Sequence, residues 1–163
     1  MQFYGESGTY KSFVSLDMAL RIATGTKWLG KYETKKSKVV YVAGEGVRGY
    51  KKRIKAWLKD NEFELKDIED NFRFLPESLP LNSNADCEVF LFKVKEFVGK
   101  TKVALIVLDT QARCTEGVDE NSNTEMGMVV KQIDSLKKKL KTTIMLVHHA
   151  GKSGPQVIVT GKL

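Results

Sequence analysis

The chain has 163 residues, 42% of them hydrophobic, and carries a formal charge of +7 with a pI near 9.3. That length supports one domain with a substantial core, expected to span residues 1–163. No apolar run reaches the length of a membrane span, and Met1-Gln2-Phe3-Tyr4 lacks the basic and apolar regions of a signal peptide, so neither a membrane nor a secreted protein is expected, and a cytoplasmic location is. The positive charge admits a polyanionic partner without requiring one. Cys87 and Cys114 lack the spacing of a metal cluster and read as reduced thiols.

Phe3 and Tyr4 close a very short first strand. The stretch Gly5-Glu6-Ser7-Gly8-Thr9-Tyr10-Lys11-Ser12 follows, and Phe13 opens a helical run. The spacing is Gly, four residues, a position usually held by glycine, then Lys and Ser/Thr, which describes a phosphate-binding loop. In such a loop the backbone N–H groups of Gly5, Glu6, Ser7, Gly8, Thr9, Tyr10, Lys11, Ser12 and Phe13 surround the phosphates. Lys11 reaches the outer phosphates and the Ser12 hydroxyl faces Mg²⁺, while the helix start adds the positive end of its dipole. Tyr10 occupies the glycine position, so it adopts either an ordinary conformation or a strained one at positive φ.

Ser12 to Thr24 has the helical period, with Phe13, Leu16, Leu20 and Ala23 inward and Val14 and Met18 beside them; Gly25 stops it. Thr26 to Lys38 is a lysine-rich loop anchored by Trp28 and Leu29. Val39 to Ala43 is a β-branched run suited to a strand buried on both faces of a parallel sheet. It ends at Gly44-Glu45-Gly46, which places Glu45 where open α/β sheets bind ligands. Arg48 to Lys59 is an amphipathic helix with Tyr50, Ile54, Trp57 and Leu58 inward. Its lysines read as a solvated face rather than a DNA-contacting one.

Phe72 to Leu75 is a short strand, Pro76 to Asn84 a loop, and Asp86 a cap for a helix with Val89, Phe90, Val94 and Phe97 inward. Lys102 to Thr110 is a central apolar strand that delivers Asp109 to the ligand edge, where the carboxylate can hold Mg²⁺ together with Ser12. Gln111 to Thr124 is polar. A helix from Thr124 to Leu140 turns Met128, Val129, Gln132, Ile133 and Leu136 inward. Thr143 to Val147 is a further buried strand ending in His148-His149. Successive strand residues face opposite ways, so one histidine is expected to meet the γ-phosphate or the attacking water while the other packs. A Gly151-Lys152-Ser153-Gly154 loop and a last strand at Val157-Ile158-Val159 complete the chain. The elements describe an α/β fold with a mainly parallel central sheet flanked by helices.

Four blocks carry a family resemblance: Gly5 to Ala19, Val40 to Gly46, Leu108-Asp109-Thr110 with Asp119 to Ser122, and Val147 to Lys152. The chain resembles the RecA-like P-loop ATPase core of RepA-type replicative helicases of plasmids and phages. The resemblance implies that Lys11 and Ser12 bind ATP and Mg²⁺, that Glu45 orients or deprotonates the attacking water, and that Asp109 is the metal-supporting acid. It favours His149 over His148 as the phosphate sensor and puts their strand between the phosphate-loop strand and the Asp109 strand. It further implies a homo-oligomeric ring, hexameric in the family, moving on single-stranded DNA. After Lys152 the family continues into further strands and an arginine that reaches a neighbour's ATP; this chain ends without a matching arginine, so it reads as a core missing its C-terminal part.

An arginine of that kind is worth about 10³ to 10⁵ in rate in related NTPases. The expected function is ATP hydrolysis by a DNA motor. The alternatives are a nucleotide-holding module with little turnover, and a P-loop small-molecule kinase with Arg48 or Arg113 over its phosphates.

Overall fold

The computed structural model describes residues 1–150 together with Val159–Thr160. In chain order the elements are β1 (Gln2–Glu6), α1 (Lys11–Thr24), β2 (Lys38–Ala43), α2 (Val47–Asp60), β3 (Phe72–Leu75), α3 (Asn84–Val98), β4 (Val103–Asp109), α4 (Gln111–Cys114), α5 (Asn123–Leu140), β5 (Thr143–Ala150) and β6 (Val159–Thr160). The sheet order is β3-β2-β4-β5-β1-β6. The first five strands of that order pair in parallel, and β6 runs antiparallel along β1. The histidine strand therefore lies between the phosphate-loop strand and the Asp109 strand. All parallel strands end at one rim, which gathers the segments after Glu6, Ala43, Asp109 and His149.

Alternation along the strands sorts the core into two layers. Val39, Tyr41 and Ala43 of β2, Leu105 and Val107 of β4, and Met145 and Val147 of β5 pack on Leu16, Ala19, Leu20 and Ala23 of α1 and on Tyr50, Ile54 and Leu58 of α2. On the other face Val40, Val42, Ile106, Leu108 and Ile144 pack on α3 and α5 through Phe90, Leu91, Val94, Val129, Leu136 and Leu140. Both faces are covered, which is why β2 and β4 are nearly unbroken apolar runs. Truncating a side chain such as Ile106 to alanine costs about 2–5 kcal/mol. Asp109 continues the row of Leu105 and Val107, and so emerges on the α1 side.

The structure corrects several expectations. Phe13 is 47% exposed, because α1 starts at Lys11 and its inward row runs through Ser15, Leu16, Ala19 and Ala23. Asp86 does not cap α3: the Ser83 hydroxyl accepts the Asp86 N–H at 3.2 Å, and Asp86 lies in the first turn. Val89 and Met128 point outward, while Phe90 and Val94 are buried as expected and Cys87, Leu91 and Val98 join them in the buried face of α3. The polar segment after Thr110 contains a helical turn, α4. The expected Gly151–Gly154 loop, and Val157 and Ile158 of the expected last strand, lie outside the described residues. Among the described residues no helix is long and apolar enough to cross a membrane.

Candidate functional site

The loop between β1 and α1 turns on Gly8, at φ 83°, and on Tyr10, at φ 58° and ψ 18°. Tyr10 thus takes the left-handed conformation for which glycine is the usual occupant, at a cost of about 1–2 kcal/mol for a residue with a Cβ. Its carbonyl accepts the N–H groups of Phe13 (2.9 Å) and Val14 (3.0 Å) and starts α1, and no side chain caps that end. The Tyr10 ring is 72% exposed and meets the Phe13 ring edge-on at 5.8 Å. Lys11 is buried and folds back over the loop: its ammonium donates to the carbonyls of Gly5 (2.8 Å) and Glu6 (2.6 Å) and reaches Thr9 Oγ1 (3.3 Å). Burial lowers its pKa, and the nearby Asp109 partly opposes that.

Asp109, at the end of β4, is buried and held on both oxygens. Ser12 Oγ donates to Oδ1 at 3.2 Å, while the hydroxyls of Tyr41 and Tyr50 each donate to Oδ2 at 2.6 Å. Burial first, and then the Asp109 charge, raise both phenols, Tyr50 to about 12. The two tyrosines escaped sequence reasoning because each reads as an ordinary core residue. Only the pairing of Ala43 with Asp109 shows that Tyr41 lies diagonally below the acid on the same face.

Glu45 follows β2 at the same rim. Gly44 gives a close approach there, since a Cβ would lie 3.0 Å from Ser78 Cβ and 3.1 Å from Arg113 Cβ, tight enough that these neighbours would have to give way. The half-exposed Glu45 carboxylate accepts from Arg113 Nε at 3.3 Å. His149 pairs in register with Gly5 and lines an open depression of ≈ 240 Å³ together with Gly8 to Phe13 and Arg53. Its ring is kept below the usual histidine pKa by burial and by Lys11, against the opposing pull of Asp109 and Glu45. His148 instead stacks on Tyr4, with centroids 5.0 Å apart and planes 12° from parallel, on the other side of the strand. Arg53 of α2, which the sequence did not single out, lies over the rings of Phe13 (4.1 Å) and Tyr50 (5.1 Å).

The residues suit a metal-bound nucleotide. Ser12 Oγ and Asp109 Oδ1 form a pair of hard oxygen donors at one point, which is the donor chemistry Mg²⁺ takes. His149 Nδ1 is buried and finds no partner among the described residues, although its ring borders the depression at the loop. Lys11, Ser12, Asp109 and His149 are brought together; Glu45 shares the rim, and His148 stands apart.

A glycine-bearing loop that feeds a helix at the carboxyl rim of a parallel sheet, with Lys-Ser at the helix start and a strand-end aspartate beside the serine, defines a P-loop nucleotide-binding ATPase. A family model described as an AAA domain matches residues 2–155, and the chain belongs to that family. Among curated proteins none matches the chain.

Proposed function

We propose that the chain is the Mg²⁺-dependent, ATP-hydrolysing motor core of a RepA-like DNA helicase, working on single-stranded DNA as part of a homo-oligomeric ring. The observation that carries the reading is the 3.2 Å contact between Ser12 Oγ and Asp109 Oδ1 beside the buried Lys11. In this reading Lys11 exchanges its loop carbonyls for the outer phosphate oxygens, and the free N–H groups at the start of α1 bind the inner ones. Ser12 and Asp109 would hold Mg²⁺, which when bound would supply neutralisation of the phosphate charge. Glu45 accepts the proton of the attacking water, and the neutral His149 hydrogen-bonds the terminal phosphate or that water.

The DNA part of the reading is supported by the net charge of +7. The test is the rate of ATP hydrolysis with and without single-stranded DNA, at low and high salt, on the unmodified chain and on Glu45→Gln. The reading requires DNA-stimulated turnover that salt suppresses and that Glu45→Gln abolishes. DNA-independent turnover would remove the motor and leave the ATPase.

A second reading, nucleotide holding with little turnover, has one observation in its favour. Glu45 is paired with Arg113 at 3.3 Å, which holds its carboxylate against a guanidinium instead of leaving it free to turn toward a water. Faster hydrolysis in Arg113→Ala than in the unmodified chain would support it.

A further inference from the structure

We propose that Tyr41 and Tyr50 are positioning residues for metal-dependent nucleotide binding: together they hold Oδ2 of Asp109 so that Oδ1 alone is presented to Ser12 and the metal. The proposal rests on the nucleotide reading above and assigns the groups that set the orientation of its acid. The torsion that swings a carboxylate about its own axis is broad and two-fold, so an aspartate at a strand end can offer either oxygen. Here Oδ2 accepts two phenolic O–H bonds of 2.6 Å, short as expected for donors on an ionised acceptor, and Oδ1 faces Ser12 Oγ.

The donors arrive from two elements and are themselves immobilised. Tyr41 projects from β2, and its hydroxyl also lies 3.0 Å from Ser15 Oγ of α1. Tyr50 comes from the first turn of α2, the helix that begins directly after Glu45 and Gly46. The two rings lie 5.4 Å apart, and Phe74 packs 6.4 Å from Tyr41 and 5.6 Å from Tyr50. With Asp109, Tyr41 and Tyr50 all buried, water cannot substitute for a lost phenol without entering the core. The bonds therefore fix which oxygen faces the ligand, and through Tyr50 they also tie the helix behind Glu45 to the metal-supporting acid.

A purely structural role predicts lost stability and unchanged metal dependence. A positioning role predicts that binding of metal-free nucleotide survives while its coupling to Mg²⁺ weakens. The full chain and its Tyr41→Phe, Tyr50→Phe and doubly substituted variants are titrated with the fluorescent analogue mant-ATP in EDTA and across a series of MgCl₂ concentrations, with circular dichroism to follow the fold.

In the double variant the affinity in EDTA stays at that of the unmodified chain, and the Mg²⁺ concentration giving half the metal-dependent gain rises about 10- to 100-fold, the usual effect of losing the partner that orients a metal-binding carboxylate. A folded double variant with an unchanged Mg²⁺ midpoint overturns the proposal and leaves the nucleotide reading standing. If the double variant does not fold, Tyr50→Phe decides: it keeps the ring and the Tyr41 bond, and a displaced or an unchanged midpoint supports or overturns the proposal in the same way. An unmodified chain that binds no mant-ATP, or binds it with no response to Mg²⁺, overturns the nucleotide reading and this inference with it.

Discussion

The longer helices begin at one rim of the sheet, but in two different ways. α3 and α5 are closed by serine: Ser83 Oγ accepts the Asp86 N–H at 3.2 Å, and Ser122 Oγ accepts the Glu125 N–H at 3.3 Å. α1 and α2 instead start on left-handed residues, Tyr10 at φ 58° and Gly46 at φ 66°, with no side-chain cap on either. A serine cap satisfies donors that would otherwise seek an acceptor. The open starts are the two that flank the depression and Glu45. The layer formed with α3 and α5 is finished internally, and the layer formed with α1 and α2 is left chemically incomplete at its rim.

The largest expected effect breaks the open side alone. Lys11→Ala should lower ATP turnover by about 10²- to 10³-fold, the size seen when one group facing developing charge is removed, far more than the lost bonds to the Gly5 and Glu6 carbonyls lower its stability; steady-state hydrolysis and a melting curve check it. The closed side should respond in the opposite manner. Ser83→Ala should cost about 1 kcal/mol, a drop of roughly 2–4 °C in Tm, and leave mant-ATP affinity untouched.

Tyr10→Gly sharpens the contrast by its sign. Relief of the left-handed backbone should raise Tm by about 2–4 °C, where loss of a cap lowers it. A fall in Tm would show that the contact with Phe13 outweighs the backbone cost.

The smallest effect concerns pH. The His149 pKa lies below its unfolded value of about 6.5, so around that pH the unfolded chain binds a proton that the folded one does not. Stability of the nucleotide-free protein should therefore fall as pH drops through that value. The loss in Tm between about pH 7.5 and about pH 5.5 should be smaller in His149→Gln, once the titration of other groups, common to both proteins, is subtracted.

Much of the fold is legible before any coordinates. The runs Val39 to Ala43 and Val103 to Leu108 announce strands covered on both faces, and the loop from Gly5 to Ser12 announces the helix after it. Asp109 is legible too, since an acid that ends such a run emerges where the apolar environment stops. What surrounds the acid is not legible. Tyr41 and Tyr50 become its partners only when β2 lies beside β4 and α2 packs over both, and a sequence does not print register. The misplaced inward residues Phe13, Val89 and Met128 share one cause: on a helix with apolar residues around much of its girth, the period alone does not choose among neighbouring rows. α4 spans Gln111–Cys114, too short for periodicity to reveal.

Cys87 and Cys114 are both buried in the layer formed with α3 and α5, and burial pushes the Cys114 thiol up to about 11. Because only the thiolate alkylates at a useful rate, both sulfurs should resist an exogenous reagent until that half of the molecule opens. The chain thus carries its own chemical clock: labelling kinetics would time the breathing of one layer while nucleotide is added to the other, and would show how far the two move as one body.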